Sequence, residues 1–117
     1  MEIGNIKFKA KKTLDGKWIK GDLVHHKDSY NIWITDYENQ LTSPVNPSTV
    51  CQFTGLKDTN DVPIFEGDII AFDGEGEVVF KDGAFYAKFG KYTECLLCNL
   101  VKSGLSVTIV GNKFDKK

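Results

Sequence analysis

The sequence predicts a small, mostly β protein with one short helix. Apolar residues recur at every second position through most of the 117 residues, which is typical of half-buried strands. Turn dipeptides such as Asp15-Gly16 and Asp82-Gly83 separate these alternating segments. An apolar fraction of 41% and a charged fraction of 26% are ordinary for a globular protein, so neither a disordered nor a fibrous class is indicated.

The first third of the chain predicts a β meander. Residues 6–10 alternate apolar side chains with lysines, giving a strand with one lysine-coated face. Asp15-Gly16 turns into a second strand over residues 17–24, which Gly21-Asp22 interrupts. A third strand places Tyr30, Ile32 and Ile34 on one side.

The best candidate linker is the polar stretch of residues 36–48. It contains Pro44 and Pro47, and proline cannot donate a ladder hydrogen bond. We therefore expect a single domain over residues 1–117, with two possible lobes, residues 1–48 and residues 49–114.

The segment after this linker predicts two strands joined by a turn. Residues 49–53 and residues 65–72 are rich in apolar and β-branched side chains, and residues 57–63 between them carry turn formers. Residues 73–76 then form the next turn.

Residues 76–89 predict a β-hairpin closed by Asp82-Gly83, a dipeptide preferred in two-residue type I′ loops. This loop fixes the register of the two strands. We expect the pairs Phe80–Phe85 and Val78–Ala87 on the side that faces the core. The pairs Glu77–Lys88 and Val79–Tyr86 should lie on the side that meets water.

The end of the chain predicts a helix and a last strand. Apolar residues shift to a helical spacing within residues 94–102, and Ser103-Gly104 supplies a C-terminal stop. The final strand covers residues 105–110 and ends at Gly111-Asn112.

Net charge is −1, but it is unevenly distributed. Up to Lys27 there are seven lysines against three acidic residues, a local balance of +4 that leaves −5 for the remainder. The chain has no arginine, the residue best suited to bidentate recognition of phosphate and guanine. This composition disfavours strong nucleic-acid binding.

The cysteines predict neither a metal site nor a redox pair. Cys95 and Cys98 form a single CxxC motif, and a zinc site would have to recruit Cys51 with His25 or His26 from distant segments. Adjacent histidines on a strand also point to opposite sides. We expect both cysteines of the motif to be buried on the apolar side of the short helix, with no metal and no cofactor.

Three other motifs resemble functional sites but do not fit them. The segment 58–60 begins like a calcium loop, but Pro63 occupies its glycine position. Gly74-Glu75-Gly76 lacks the following helix that a phosphate loop requires. Glu66 and Asp68 lie in an apolar segment, where we expect Gly67-Asp68 to form a bend rather than an acid–base site. No catalytic residue is identified, and we expect a protein that is not an enzyme. A hydrolase-type activity is the alternative, and it ranks below the two binding functions.

Nothing in the sequence predicts export or membrane insertion. No apolar run approaches the ~20 residues of a membrane span, and the first residues lack the apolar region of a signal peptide. We therefore expect a cytoplasmic protein without membrane contact.

Two groups of residues are candidates for binding. Trp33 and Tyr86 are expected to lie away from the core and are candidate protein contacts. The second group is a candidate nucleic-acid surface made of one tryptophan and six lysines: Trp18 with Lys7, Lys9, Lys11, Lys12, Lys17 and Lys20.

Two segments resemble the central motif of the YopX-like family, small proteins encoded mainly in phages and prophages. They are residues 52–58, QFTGLKD, and residues 64–70, IFEGDII. Three shorter segments agree with the family as well: residues 6–10, 82–86 and 110–112. The resemblance therefore spans nearly the whole chain.

The resemblance implies a mostly β fold whose second half is an SH3-like barrel, and it implies no enzymatic activity. Asp61 replaces the glycine usual in the family's central turn, so Asn60 or Asp61 must adopt left-handed geometry. Lys113-Phe114-Asp115 replaces the family's acidic, proline-containing continuation.

Two hypotheses about function follow. The first is a phage or prophage accessory protein that binds a protein partner, or itself, through strand edges and aromatic residues. The second is a weak nucleic-acid-binding barrel that uses the lysine-rich N-terminal region. The salt dependence of binding distinguishes the two hypotheses, because binding to phosphates weakens steeply as the salt concentration rises.

Overall fold

The computed structural model describes residues 7–25, 32–36 and 39–115. The chain divides into two compact units, Met1–Phe53 and Thr54–Lys117. Each unit contains antiparallel strands and its own apolar core. The mostly β class with one short helix is confirmed. The predicted strand positions Ile6 and Tyr30, and His26, lie outside the described residues.

The first unit is an antiparallel meander extended by one further strand. The elements are β1 Phe8–Lys11, β2 Trp18–His25, β3 Ile32–Asp36, β4 Leu41–Val45, a 3₁₀ turn Pro47–Thr49, and β5 Cys51–Lys57, which continues past the boundary into the second unit. Strands β1 to β4, which follow one another in the sequence, lie next to each other in the sheet, as the predicted meander requires. The order of the sheet is β4-β3-β2-β1-β5.

Strand β2 is continuous, so the predicted interruption at Gly21-Asp22 is wrong. Up to Gly21 it pairs with β1, and from Asp22 onward it pairs with β3. A Cβ atom at Gly21 would overlap the backbone of Thr35. Glycine thus lets β2 exchange partners without breaking, because only glycine allows this close approach of two backbones.

The predicted linker is also wrong, because residues 41–45 form strand β4. This strand ends the sheet, and Pro44 is compatible with an end strand since the outer edge has no continuous ladder. The next turn is capped by Asn46, whose Oδ1 accepts a hydrogen bond from the Ser48 backbone N–H at 3.1 Å.

The apolar core of the first unit follows the alternation read from the sequence. Its buried members come from four strands, and Phe8 packs against them. They are Ala10, Ile19, Ile34 and Val45.

The second unit contains a five-stranded antiparallel sheet and one short helix. The elements are β6 Pro63–Phe65, β7 Asp68–Ala71, β8 Glu75–Lys81, β9 Ala84–Phe89, β10 Thr93–Leu96, α1 Leu97–Val101 and β11 Thr108–Asn112. The order of the five-stranded sheet is β10-β9-β8-β7-β11, and strand β6 adjoins β5. The buried core consists of Ile64, Ile70, Val78, Ala87, Leu97, Leu100 and Val107.

The predicted strand over residues 65–72 is two strands, β6 and β7, separated at Gly67. The bend expected at Gly67-Asp68 is confirmed, since Gly67 has φ of 89°. The backbone N–H of Phe65 also donates to the Asp68 carboxylate across this bend, at 2.8 Å.

The predicted helix is shorter than expected, because Thr93–Leu96 pairs with β9 as a strand and only Leu97–Val101 is helical. Cys95 contacts the core from β10, and Leu97 and Leu100 contact it from α1. The helical spacing read from the sequence therefore combines two elements. The final strand also begins later than predicted, at Thr108, and Leu105 is exposed.

The hairpin register is confirmed at all four predicted pairs. Asp82 and Gly83 both have positive φ, 53° and 81°, as a type I′ loop requires. One detail differs from the prediction, because Phe80 is 47% exposed. It packs against Phe85, with ring centroids 4.9 Å apart, where the hairpin extends beyond the core.

Candidate functional site

The outer face of the second unit's sheet carries an apolar row of three side chains. The pairs Val79–Tyr86 and Tyr86–Leu96 place these residues side by side on β8, β9 and β10. Paired residues of antiparallel strands share a face, and their chain neighbours Val78 and Ala87 point into the core. All three side chains of this outer row are half-buried.

Charged residues flank the outer row on the same face. The register places Glu77, Lys88 and Glu94 in a neighbouring row of alternating sign. The Lys81 ammonium lies 2.7 Å from the Glu94 carboxylate and 5.6 Å from the centroid of the Tyr86 ring. Its hydrogen bond to Glu94 raises the pKa of Lys81. Tyr86 is thus a central aromatic residue with a charged rim.

Trp33 has a similar setting in the first unit. It lies across from Val24 on β2 and Pro44 on β4, on the face opposite the buried Ile34. Both predicted aromatic contacts therefore lie outside their cores, each in the centre of an apolar row.

The first unit also has a lysine-coated face. Lys9 lies opposite Lys20, and Lys11 lies opposite Trp18, on β1 and β2. The ammonium groups of Lys9 and Lys11 lie 4.9 Å and 5.4 Å from the centroid of the Trp18 ring. Lys7 contacts the Phe53 ring instead, at 4.4 Å.

Lys12 and Lys17 belong to the turn between β1 and β2. The Lys12 ammonium lies 3.4 Å from the Asp15 carboxylate. The Lys17 backbone N–H donates to Asp15 Oδ1 at 2.9 Å. This hydrogen bond, followed by the interactions with Lys12, lowers the pKa of Asp15. The turn borders a cleft of about 400 Å³ lined by Lys11, Lys12, Thr13, Gly16, Asn46, Pro47 and Thr49.

The two buried carboxylates of the second unit are engaged in structural hydrogen bonds. Asp68 is 1% exposed and accepts from the Phe65 backbone N–H at 2.8 Å and from Asn112 Nδ2 at 2.9 Å. Asp58 accepts from three backbone N–H groups, those of Asn60, Val62 and Ile109. The structural role of Asn112 was not predicted, because its partner is 44 residues away in the sequence.

The cysteines lie on three different elements. Cys51 is buried on β5, and its thiol donates to the Thr49 carbonyl at 3.3 Å. Cys95 lies on β10 rather than on the helix, so the predicted placement of both CxxC cysteines on one helix is wrong. Cys98 lies on α1, and both are half-buried. His25 is exposed at the end of β2.

The described residues contain neither a metal-ligand cluster nor a membrane-spanning helix. No group of three or more histidine, cysteine, aspartate or glutamate side chains there is arranged to ligate a metal ion. No helix within the same residues combines the length and apolar composition needed to cross a membrane.

Comparison with family models identifies a match over nearly the whole chain. A family model described as YopX protein matches residues 7–116. No curated protein matches the chain. The matched range contains the outer row, the lysine-coated face and both buried carboxylates.

Proposed function

This chain belongs to the YopX protein family, and we propose that it acts as a protein-interaction module without enzymatic activity. The observation that carries this proposal is the outer row, in which Tyr86 lies between Val79 and Leu96 on the face that points away from the core.

The composition of the outer row supports protein binding. Aromatic side chains are enriched in the centres of interfaces, and charged residues are found at the rims. Tyr86 occupies the centre, while Lys81 and Glu94 lie beside it. A sheet face of this kind suits another protein better than a small molecule, which usually binds in a concave pocket.

The settings of the buried carboxylates support a role without catalysis. A general acid or base must reach a substrate with its carboxyl group. Asp58 and Asp68 instead accept hydrogen bonds from neighbouring backbone and side-chain groups.

We propose further that the protein is a phage or prophage accessory protein of the host cytoplasm, and that its second unit is an SH3-like barrel.

The test is affinity purification of the tagged protein from nuclease-treated host lysate. Tyr86→Lys places a charge in the centre of the outer row, whereas Tyr92→Ser alters a residue that is 88% exposed and lies outside it. We expect a partner that the wild type and Tyr92→Ser both retain and that Tyr86→Lys loses. Equal recovery by all three proteins would contradict the proposal, provided that thermal unfolding shows Tyr86→Lys to be folded.

A second candidate function is weak binding of single-stranded nucleic acid by the lysine-coated face. The favouring observation is Trp18, which lies beside the ammonium groups of Lys9 and Lys11. Single-strand binding surfaces combine aromatic rings for stacking with cations for phosphates.

Fluorescence anisotropy with a labelled oligonucleotide tests this second function. If Lys9 and Lys11 contact phosphates, Lys9→Gln/Lys11→Gln lowers the salt slope of log K by about 0.7 for each lost contact. The matched control Lys91→Gln/Lys102→Gln removes two exposed lysines of the second unit and leaves the slope unchanged. Absence of binding at low salt would eliminate this function.

A further inference from the structure

We propose that strand β10 binds an extended segment of a partner protein, which pairs with its outer edge and carries an apolar residue two positions before a basic one. This inference rests on the proposed function and names the mode and chemistry of the contact. It starts from the four strands that end a sheet within the described residues, β4, β6, β10 and β11.

Strand β4 has an edge that the chain itself covers. Pro44 has no N–H to offer, and its carbonyl accepts from the Thr13 backbone N–H at 3.1 Å. Lys12 forms a bridge with Val45 on the same strand.

Strand β6 is similarly protected against pairing. It begins with Pro63, which lacks an N–H, and the Phe65 N–H donates to Asp68.

The edge next to β11 is covered by the turn after β5. The Thr59 backbone N–H donates to the Val107 carbonyl at 2.8 Å, and the Val107 N–H donates to Thr59 Oγ1 at 2.7 Å. One residue into the strand, the Ile109 N–H donates to Asp58 at 3.1 Å. Side chains and a turn thus occupy the positions that an added strand would take.

Strand β10 differs from the other three. In the part of the chain that the structure describes, β10 pairs with β9 on one side and has no strand on the other. Among the same residues, no turn or loop forms a backbone hydrogen bond with β10. Natural proteins usually block exposed strand edges, because such edges template pairing with another chain. An edge left open beside the outer row is therefore a candidate for strand addition, which recognises a peptide through its backbone.

The rows on the outer face define the side chains that such a segment should carry. The apolar row ends at Leu96 on β10, so the added residue opposite Leu96 is apolar. The charged row ends at Glu94, after Lys88 and Glu77, so the residue opposite Glu94 is basic. In an antiparallel segment, the apolar residue precedes the basic one by two positions.

Lys81 already contacts Glu94, but this contact does not exclude a basic partner residue. The pair is partly exposed, with 48% of the Lys81 side chain accessible. Surface ion pairs of this kind contribute little to stability, so Glu94 can accept a second cation.

A second copy of this chain fits the edge less well than a partner segment. Residues opposed across an antiparallel pair share a face, so Glu94 would lie opposite either Glu94 or Leu96 of the second β10. The first arrangement opposes like charges, and the second opposes a carboxylate to an apolar side chain. Neither arrangement continues both the apolar row and the charged row of the outer face.

The experiment selects binders of the full chain from a displayed library of random peptides. We expect enrichment of an apolar residue, any residue, then lysine or arginine. A synthetic peptide with this motif, titrated into ¹⁵N-labelled protein, should shift the amide resonances of β10 more than those of β11. The same peptide with N-methylated backbone amides should bind at least about tenfold more weakly, because strand addition depends on main-chain hydrogen bonds.

Charge reversal gives a sharper readout. Glu94→Lys should lower the affinity for the peptide by about three- to tenfold. A peptide with glutamate in place of its basic residue should bind Glu94→Lys with that loss recovered. The matched control Glu75→Lys, at the exposed start of β8, should not change the affinity. No enriched motif, unshifted β10 resonances or no recovery by the reversed peptide would overturn the inference. If Tyr86→Lys still abolishes partner capture in that case, the proposed function survives while the inference fails.

Discussion

Exchange of the carboxylate and the amide between Asp68 and Asn112 is the most informative perturbation of the second unit. These side chains are 1% and 6% exposed, and Asn112 Nδ2 donates to Asp68 Oδ1 at 2.9 Å. Asp68 Oδ2 accepts from the Phe65 N–H, and Asn112 Oδ1 accepts from the Phe114 N–H. The network joins the bend before β7 to the end of β11.

Asp68→Asn should be strongly destabilising although it is nearly isosteric. Asparagine has one acceptor oxygen for the Phe65 N–H and Asn112 Nδ2, so one of these buried donors faces another N–H group. The loss of a charge-assisted bond and an unsatisfied donor together cost about 3 kcal/mol. Asn112→Asp should cost a similar amount or more, because it opposes two buried carboxylates.

The double variant Asp68→Asn/Asn112→Asp should recover most of this loss. The amide of residue 68 would donate to the carboxylate at 112, its oxygen would accept from the Phe65 N–H, and the other carboxylate oxygen would accept from the Phe114 N–H. Each of these three donors keeps an acceptor, so we expect stability within about 1 kcal/mol of the wild type, a coupling well above the ~0.5 kcal/mol of independent sites.

Urea unfolding of the four proteins at pH 7 measures this coupling, with Asp61→Asn as the control. Asp61 makes an ion pair with Lys57 at 3.7 Å, and the Asp61 side chain is 84% exposed. Loss of this ion pair in Asp61→Asn should therefore lower the free energy of unfolding by less than about 0.5 kcal/mol. Asp68→Asn at wild-type stability, or a double variant no more stable than either single variant, would refute the reasoning.

Three further predictions concern local features of the fold. Gly21→Ala should cost more than about 2 kcal/mol because of the backbone overlap, while Gly16→Ala, with φ of 73° and open space, should cost about 1 kcal/mol in urea unfolding. Val78→Ala should cost about 2 kcal/mol, and Phe80→Ala less than about 1 kcal/mol, because only Val78 is fully buried. In an NMR titration, the Asp15 carboxyl should titrate below its ordinary pKa of 3.8, and Lys12→Gln should raise that pKa.

Local sequence signals predicted local structure accurately. Asp82-Gly83 fixed a hairpin register that the structure reproduces, because a two-residue loop leaves one way to pair the strands. The left-handed geometry expected at the central turn is also present, since Asp61 has φ of 65°. Alternation placed Ala10 between lysines and Ile34 on one side with Ile32, and both Ala10 and Ile34 are buried in the core.

The errors arose where tertiary context overrides a local signal. Two prolines indicated a linker, but at the end of a sheet Pro44 is tolerated within β4. Gly21 indicated a break, yet the approach of β3 makes it the residue that keeps β2 continuous. The spacing near Cys95 merged a strand and a helix, because both contact the same core.

The candidate site was predicted only in part. Alternation placed Tyr86 on the outer face, but Leu96 was assigned to a helix, so the apolar row across three strands was not foreseen. The open edge of β10 was also unpredictable, because it depends on which strands end the sheet and what covers the other ends.

The affinity of a purified partner for the wild type and for Tyr86→Ala, measured by titration calorimetry, tests the central claim most directly. If the outer row is the binding surface, Tyr86→Ala should weaken binding by at least about tenfold, the effect of a central aromatic contact, while Tyr92→Ser leaves the affinity unchanged. Equal affinities for the wild type and a folded Tyr86→Ala variant would contradict the claim.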